Sequence, residues 1–443
     1  MTITLSSRRY RKQSRLSPPH FLAGTILIAA ICQPAFASKK SCVNPSGRGG
    51  CFSTIGAAVA AAPPGGIISV EPGTYKEDVI IGRSLSLIGT NSGNTIIDAT
   101  GLPNGIYVDG LDHPGLSNVV VTGFTIENAN FEGVLITNAS DITIKNNRVL
   151  NNDTSLDVDA GTCPGQPPFE SGEDFDCGEG VHLLGVEFSV LSDNVIEGNS
   201  GGMLLSDDTG ETHDNLVIGN LVKDNPFDCG ITLASHAPGL GSTAPHLGIV
   251  HNAIVDNKSI HNGFQVPGAG AGVGIFADGS GIGKVTENIV ISNQLLNNGI
   301  PGVAFHSHVG PNFGAPADNL NNNLIIGNRI SGNGADVGDT PTPGPTGINL
   351  NSGGGGTPIT GTVITGNTID NESVDVVVNT PAEVDLHFNN LLGGQIGVDN
   401  LGTGTVNATR NYWGCFFGPG SNKCSSVSGP GITFAPFLRV PLP

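Results

Sequence analysis

Short apolar pairs separated by turn residues recur along most of this chain. The recurring phrase is an apolar pair, a turn, an Asn, another apolar pair and a second Asn. It reads IKNNRVLNN at 144–152, VIGNLVKDN at 217–225, ISNQLLNN at 291–298 and IIGNRISGN at 325–333. Variants are VIEGN ending at Asn199, VHNAIVDN at 250–257 and ITGNTIDN at 364–371. The copies return every 25 to 40 residues, the mark of a solenoid. Val, Ile and Leu favour strands, Asn, Gly and Asp favour turns, and no repeat is apolar with a helical period. Each repeat therefore predicts one coil of short strands. Coils stacked about 4.8 Å apart line a continuous apolar interior and let equivalent Asn side chains hydrogen-bond along a ladder at a tight bend.

One stretch breaks the pattern. Phe52–Ala62 (FSTIGAAVAAA) is Ala-rich, with Ser53 or Thr54 as a cap and Pro63-Pro64 as a stop, and predicts a helix over 53–62 that covers the N-terminal end of the stack. From Gly66 to about Gly414 the repeats make about eleven or twelve rungs, a stack on the order of 50–60 Å long. Insertions at 153–179, 237–247, 309–320 and 334–346 become loops on particular faces. Solenoids grow in one dimension, so 53–443 reads as one domain that includes a C-terminal closing segment.

The N-terminus carries Arg8, Arg9, Arg11, Lys12 and Arg15, then an apolar run from Phe21 to Ile31, then Ala35-Phe36-Ala37. That is the layout of a signal peptide cleaved after Ala37, and the apolar run is too short to span a bilayer. Residues 38–52 then form a linker. The expected location is secreted or periplasmic, with no membrane span. Removing the five basic residues of the signal leaves 14 Lys and Arg against 38 Asp and Glu, a net charge of −24. Such a surface repels nucleic acid and anionic lipid, and disfavours a polyanionic substrate unless cations intervene.

Export makes disulfides plausible. Cys42/Cys51 and Cys415/Cys424 are close pairs at the two ends, and Cys163 and Cys177 bracket the first insertion. Cys229, at a turn into a core strand, is left as a buried free thiol.

Aligning rungs on the Gly before each strand exposes a column. The segments are GVHLLGV (180–186), GMLLSDD (202–208), GITLASH (230–236), GVGIFAD (272–278), GVAFHSH (302–308) and GINLNSG (347–353). The seventh position holds Asp208, His236, Asp278 and His308, the sixth adds Asp207 and the fifth adds His306. Stacked coils would bring these into one ladder, where alternating carboxylate and imidazole suit general acid–base work or ligation of Zn²⁺ or Mn²⁺. The plainer alternative is that polar residues simply belong at strand exits. In the first insertion Asp153, Asp157, Asp159, Asp174 and Asp176, with Glu170, Glu173 and Glu179, repel one another unless a cation is present. Ca²⁺ would order them, and a solvated acidic loop is the alternative.

The Asn-punctuated rungs, EPGTY (71–75), NYWG (411–414) and GPG (418–420) resemble the right-handed parallel β-helix repeat family, the architecture of pectate lyases and polygalacturonases. The resemblance covers roughly 50–438 and implies an all-β, single-stranded right-handed parallel β-helix. Asp207-Asp208 followed by a His one rung on resembles polygalacturonases, but the rung where that family carries Asn-Thr-Asp reads HLLGV, and its Arg-x-Lys is missing. No Arg stands in the column as in pectate lyases. Alginate epimerases and lyases of this fold use His and Asp, which fits the composition better, although their Asp-Pro-His is absent. NYWG and GPG are similar to secreted β-helix proteins that include the periplasmic maturation factor of nitrous oxide reductase. Three functions follow: a carbohydrate-active lyase, epimerase or hydrolase acting on a polysaccharide; a non-catalytic extracellular binding or structural protein; or a maturation factor for a periplasmic metalloenzyme. One Trp and four Tyr make no sugar-stacking platform. The sequence sets no oligomeric state.

Overall fold

The computed structural model describes residues 40–160, 162–170, 177–236, 248–278, 281–307, 318–338, 340–353, 358–421 and 423–443. Residues 1–37, the expected signal, lie outside these. The unit from Ser38 to Pro443 is a single coil. Three long parallel sheets run along it: one of 14 strands from Lys40–Val43 to Ile432–Thr433, one of 12 from Val79–Ile81 to Ser426–Ser428, and one of 11 from Gly73–Tyr75 to Asn390–Leu391, with a short fourth of three strands, Thr212–His213, Ile249–Val250 and Val285–Thr286. Each turn of the chain visits the three in the same order. One full coil runs Gly201–Ser206, Leu216–Ile218, Leu221–Lys223 and back to Ile231–Ser235 beside its start.

Alternation fixes what faces inward. In the twelve-stranded sheet Met203, Ile231, Val273, Val303, Ile348 and Val376 stand in one column, and Leu205, Leu233, Ile275, Phe305, Leu350 and Val378 in the next. All are buried in the core. Each such side chain contributes about 1.5–3 kcal/mol of burial, and a one-residue slip would turn a whole rung outward, so the register is strongly set.

The repeated Asn residues form three ladders rather than the two the phrase suggests. Asn147, Asn194, Asn220, Asn257, Asn293, Asn328, Asn367, Asn389 and Asn411 link side chain to side chain at 2.9–3.3 Å. Asn152, Asn199, Asn225, Asn262, Asn298 and Asn333 form the second. Asn215, Asn252, Asn288 and Asn323 form the third. Past the first Asn of each ladder, every Oδ1 accepts from the backbone N–H and the Nδ2 of the Asn one coil back, while Asn147, Asn152 and Asn215 accept from the N–H groups of Phe124, Ala129 and Ser189. The residues before Asn194, Asn257 and Asn293, which are Asp193, Asp256 and Ser292, sit at φ 53–60°, the left-handed region a bend this tight requires. The phrase at 364–371 is misleading at its end. The second ladder closes on Glu372, whose Oε1 accepts both Asn333 donors at 3.0 Å, while Asn371 is an exposed turn residue. Position five after the first Asn, not the Asn itself, defines the ladder.

The helix is Ile55–Ala61, shorter than expected. Thr54 caps it by accepting from Ala57, and both Glu77 carboxylate oxygens take the N–H groups of Ile55 and Gly56 at 2.8 Å. Ile55, Ala58 and Val59 join the core. At the other end Trp413 is fully buried in the same core. The disulfides are Cys42–Cys51, Cys163–Cys177 and Cys415–Cys424, and Cys229 is a buried free thiol. Among the described residues no helix is long and apolar enough to cross a membrane.

Candidate functional site

The twelve-stranded sheet places three of the four column residues where the Gly alignment puts them. Met203 pairs with Ile231 and Ile231 with Val273, so Asp208, His236 and Asp278 follow at equivalent positions on three successive coils. His236 Nδ1 lies 3.5 Å from Asp208 Oδ2. Asp278 is half-buried, its N–H bound to the Ser235 carbonyl. His308 lies outside the described residues. His306 is one column over, stacked on Phe276 with ring centroids 4.0 Å apart.

Asp207 faces the other way. It continues the inward column of Ser235 and Ala277, is fully buried, and accepts from Ser235 Oγ and from the N–H groups of His236 and Gly248 at 2.8–2.9 Å. Asp318 does the same work further along, accepting from Gly281 and Gly283 N–H and from Ser307 Oγ. Both carboxylates tie a strand exit to the turn that follows. Asp207 is thereby removed from any groove: strand alternation turns it inward where Asp208 turns out.

Three further residues, none of them in the column, connect to Asp208 in series through Ser206. Ser206 Oγ donates to Asp208 Oδ2 at 2.6 Å, and His182 Nε2 lies 2.9 Å from the same hydroxyl. His182 Nδ1 is 2.9 Å from Glu132 Oε1, and Glu132 Oε2 accepts from Glu179 N–H at 2.7 Å. The serine has one proton. With that proton on Asp208, Nε2 of His182 must carry its own and donate it to Ser206. Glu132, His182, Ser206, Asp208 and His236 thus form one line across four successive coils. The signal for His182 was available: it is the one polar side chain in an apolar rung, at an outward position between inward Val181 and Leu183. Glu132 carried no comparable signal.

The line is not open to solvent. Asp208 is 1% exposed, His182 4%, His306 5% and His236 6%. The outer face of the sheet carries a second apolar cluster, in which outward Leu204, Ala234, Phe276 and Ala304 pack with Cys229, Ala271 and Ile300 from the turns. His236 is thus buried, and this cluster lies on the same outer face of the sheet.

Among the described residues, the carboxylates of the acidic insertion are distributed rather than gathered. Asp157 and Asp159 are exposed on a turn in which Asp157 Oδ1 accepts two N–H groups. Asp153 is buried with Oδ2 on Cys177 N–H. Asp174 and Asp176 lie outside the described residues. The insertion instead delivers Glu170 to the sheet face: one ligand atom each from Glu132, Glu170 and His182 lies within 4.8 Å of the others, a group able to hold a metal ion.

His251 and His261 lie at bends, and His213 ends the short strand Thr212–His213. His251 and His261 are about half exposed, and His213 is held between Glu187 and Asp214 at 3.0 and 2.9 Å.

Residues 86–271 match the family described as right handed beta helix region, and the coil seen here continues that architecture on both sides of the match. No curated protein matches the sequence. Among solved structures the chain is similar to the A-module of a mannuronan C-5 epimerase from Azotobacter vinelandii (15% identity, 88% of this chain and 95% of that one, TM-score 0.46). It is also similar to the catalytic unit of an α-1,3-glucanase from Streptomyces thermodiastaticus (16%, 92% and 71%, TM-score 0.48). A third likeness is to an alginate lyase from Paenibacillus (13%, 85% and 95%, TM-score 0.34).

Proposed function

We propose that this β-helix is a polysaccharide-active enzyme whose acid–base pair is Asp208 and His236, held in place by Glu132, His182 and Ser206. The observation that supports it is the line itself, hydrogen-bonded from Glu132 to Asp208, with His236 Nδ1 3.5 Å from Asp208 Oδ2. Burying carboxylates and imidazoles costs free energy unless they bond one another, and here they are gathered in one line. Ser206 donates to Asp208 Oδ2 and holds that carboxyl in place as the general base. In hydrolysis Asp208 takes a proton from the water whose oxygen bonds the anomeric carbon, while a protonated His236 gives its own proton to the glycosidic oxygen as that C–O bond breaks. The net charge of −24 favours an uncharged glycan, which makes hydrolysis the leading reaction, since elimination requires a uronate polymer. The three disulfides support an extracytoplasmic setting.

The burial of the site favours a second reading, a non-catalytic glycan-binding β-helix. A panel of neutral and uronate polysaccharides, incubated with wild type and His236→Ala, separates the two. New reducing ends from a neutral glycan, lost in the variant, support hydrolysis, and absorbance from unsaturated ends would move the reaction to elimination. Retention on a polysaccharide gel without turnover supports the binding reading.

A further inference from the structure

We infer that Glu132, Glu170 and His182 form a binding site for a divalent transition ion of the Zn²⁺ or Mn²⁺ class. The inference goes beyond the acid–base reading and does not depend on it. The three side chains come from separate parts of the chain: the loop before the strand Val134–Thr137, the first insertion, and the strand Glu179–Leu184. Chain folding alone brings them together, with ligand atoms within 4.8 Å and exposures of 1%, 7% and 4%.

Their chemistry selects the ion. An imidazole nitrogen with two carboxylates suits Zn²⁺ or Mn²⁺, whereas Ca²⁺ takes six to eight oxygens. Three protein donors also leave a coordination position for water or a substrate oxygen. The supports a metal ligand needs are present. Nε2 of His182 is held by Ser206, which orients the ring with Nδ1 toward the carboxylates, and Glu132 Oε2 is anchored on Glu179 N–H. The insertion that brings Glu170 is closed by Cys163–Cys177 and tied down through Asp153 to Cys177 N–H, so its ligand arrives on a constrained loop. Charge points the same way. Glu179 Oε2 stands 3.8 Å from His182 Nδ1, and residues 149–222 contain neither Lys nor Arg, so a divalent cation is the counter-charge that suits this pocket.

The test uses the purified full chain, stripped with a chelator, desalted and offered Zn²⁺, Mn²⁺ or Ca²⁺ singly, with bound metal counted by mass spectrometry and affinity read by calorimetry. Wild type should hold a single equivalent of Zn²⁺ or Mn²⁺ and prefer either to Ca²⁺. Glu170→Gln should weaken that binding by more than the roughly 10-fold to 100-fold typical of losing a supporting hydrogen bond. Asp157→Asn, an exposed carboxylate on the same insertion, should bind as wild type does. Co²⁺ offered to wild type should give the visible absorption of a low-coordinate nitrogen–oxygen site, a reading that needs no variant to fold. No uptake by wild type, preference for Ca²⁺, or Glu170→Gln binding as tightly as wild type would each overturn the inference. Activity enters none of these readings, so the site and the enzyme proposal fail separately.

Discussion

Ser206 Oγ sits 2.6 Å from Asp208 Oδ2, and through that one bond the imidazole of His182 is coupled to the Asp208–His236 pair. Ser206→Ala cuts the line at its middle. It leaves a buried carboxylate oxygen and a buried ring N–H short of a partner, at about 1–3 kcal/mol each. We expect a lower melting temperature and, in an active protein, an altered pH–rate profile, because Asp208 loses its Ser206 donor. A variant with both the stability and the pH profile of wild type would show that the bond carries no weight.

The Asn ladders predict a second loss. Asn257 accepts from Asn220 N–H and Nδ2 at 2.9 and 3.0 Å and donates to Asn293 and to the Val217 carbonyl at 3.1 and 2.9 Å. Asn257→Ala strands several buried groups at once, and a destabilisation of about 3 kcal/mol or more is expected by thermal or denaturant unfolding. A change under about 0.5 kcal/mol, the level of an ordinary surface substitution, would rule the ladder out as a source of stability.

Glu372 gives a pH dependence with a definite sign. Burial pushes its carboxyl from 4.5 up to about 7. The folded protein therefore keeps a proton that the unfolded chain releases. The stability this gives is complete below pH 4.5 and is lost as pH rises toward 7, by about 3 kcal/mol at most. Asp375, also pushed up by burial and by Glu372, adds in the same direction. Glu372→Gln keeps the ladder's acceptor without a titrating proton, so it should raise stability at pH 8 and change little at pH 4. Equal effects at both values would contradict the assignment.

Cys229 Sγ accepts from Ala271 N–H at 3.2 Å, and burial drives its thiol well above the ordinary range. For the chain from Ser38, a thiol reagent should find nothing to react with in the native protein and a single thiol after unfolding without reductant. Two or more thiols on unfolding would mean that one of the three disulfides does not form.

How much of this was legible follows from what each signal depends on. Counting from the Gly before each strand placed Asp208 opposite His236, because a buried strand tolerates no slip. Asn spacing announced the ladders, and cysteine proximity announced the bridges. The same counting treated Asp207 and Asp208 alike, although alternation sends one into the core. His182 was passed over because its rung looked apolar. Glu132 is 50 residues from His182 in sequence, and Glu170 lies in an insertion with no period, so neither could be aligned with anything. The cover over Phe276 and Ala304 comes from turns between repeats, where the repeat itself is silent.

The most direct test of the central claim is the initial rate of Asp208→Asn against wild type on a polysaccharide that wild type degrades. Asn keeps the shape and the Ser206 hydrogen bond but cannot take up a proton. The account predicts a rate lower by about 100-fold or more with the fold retained. A rate equal to that of wild type would contradict it.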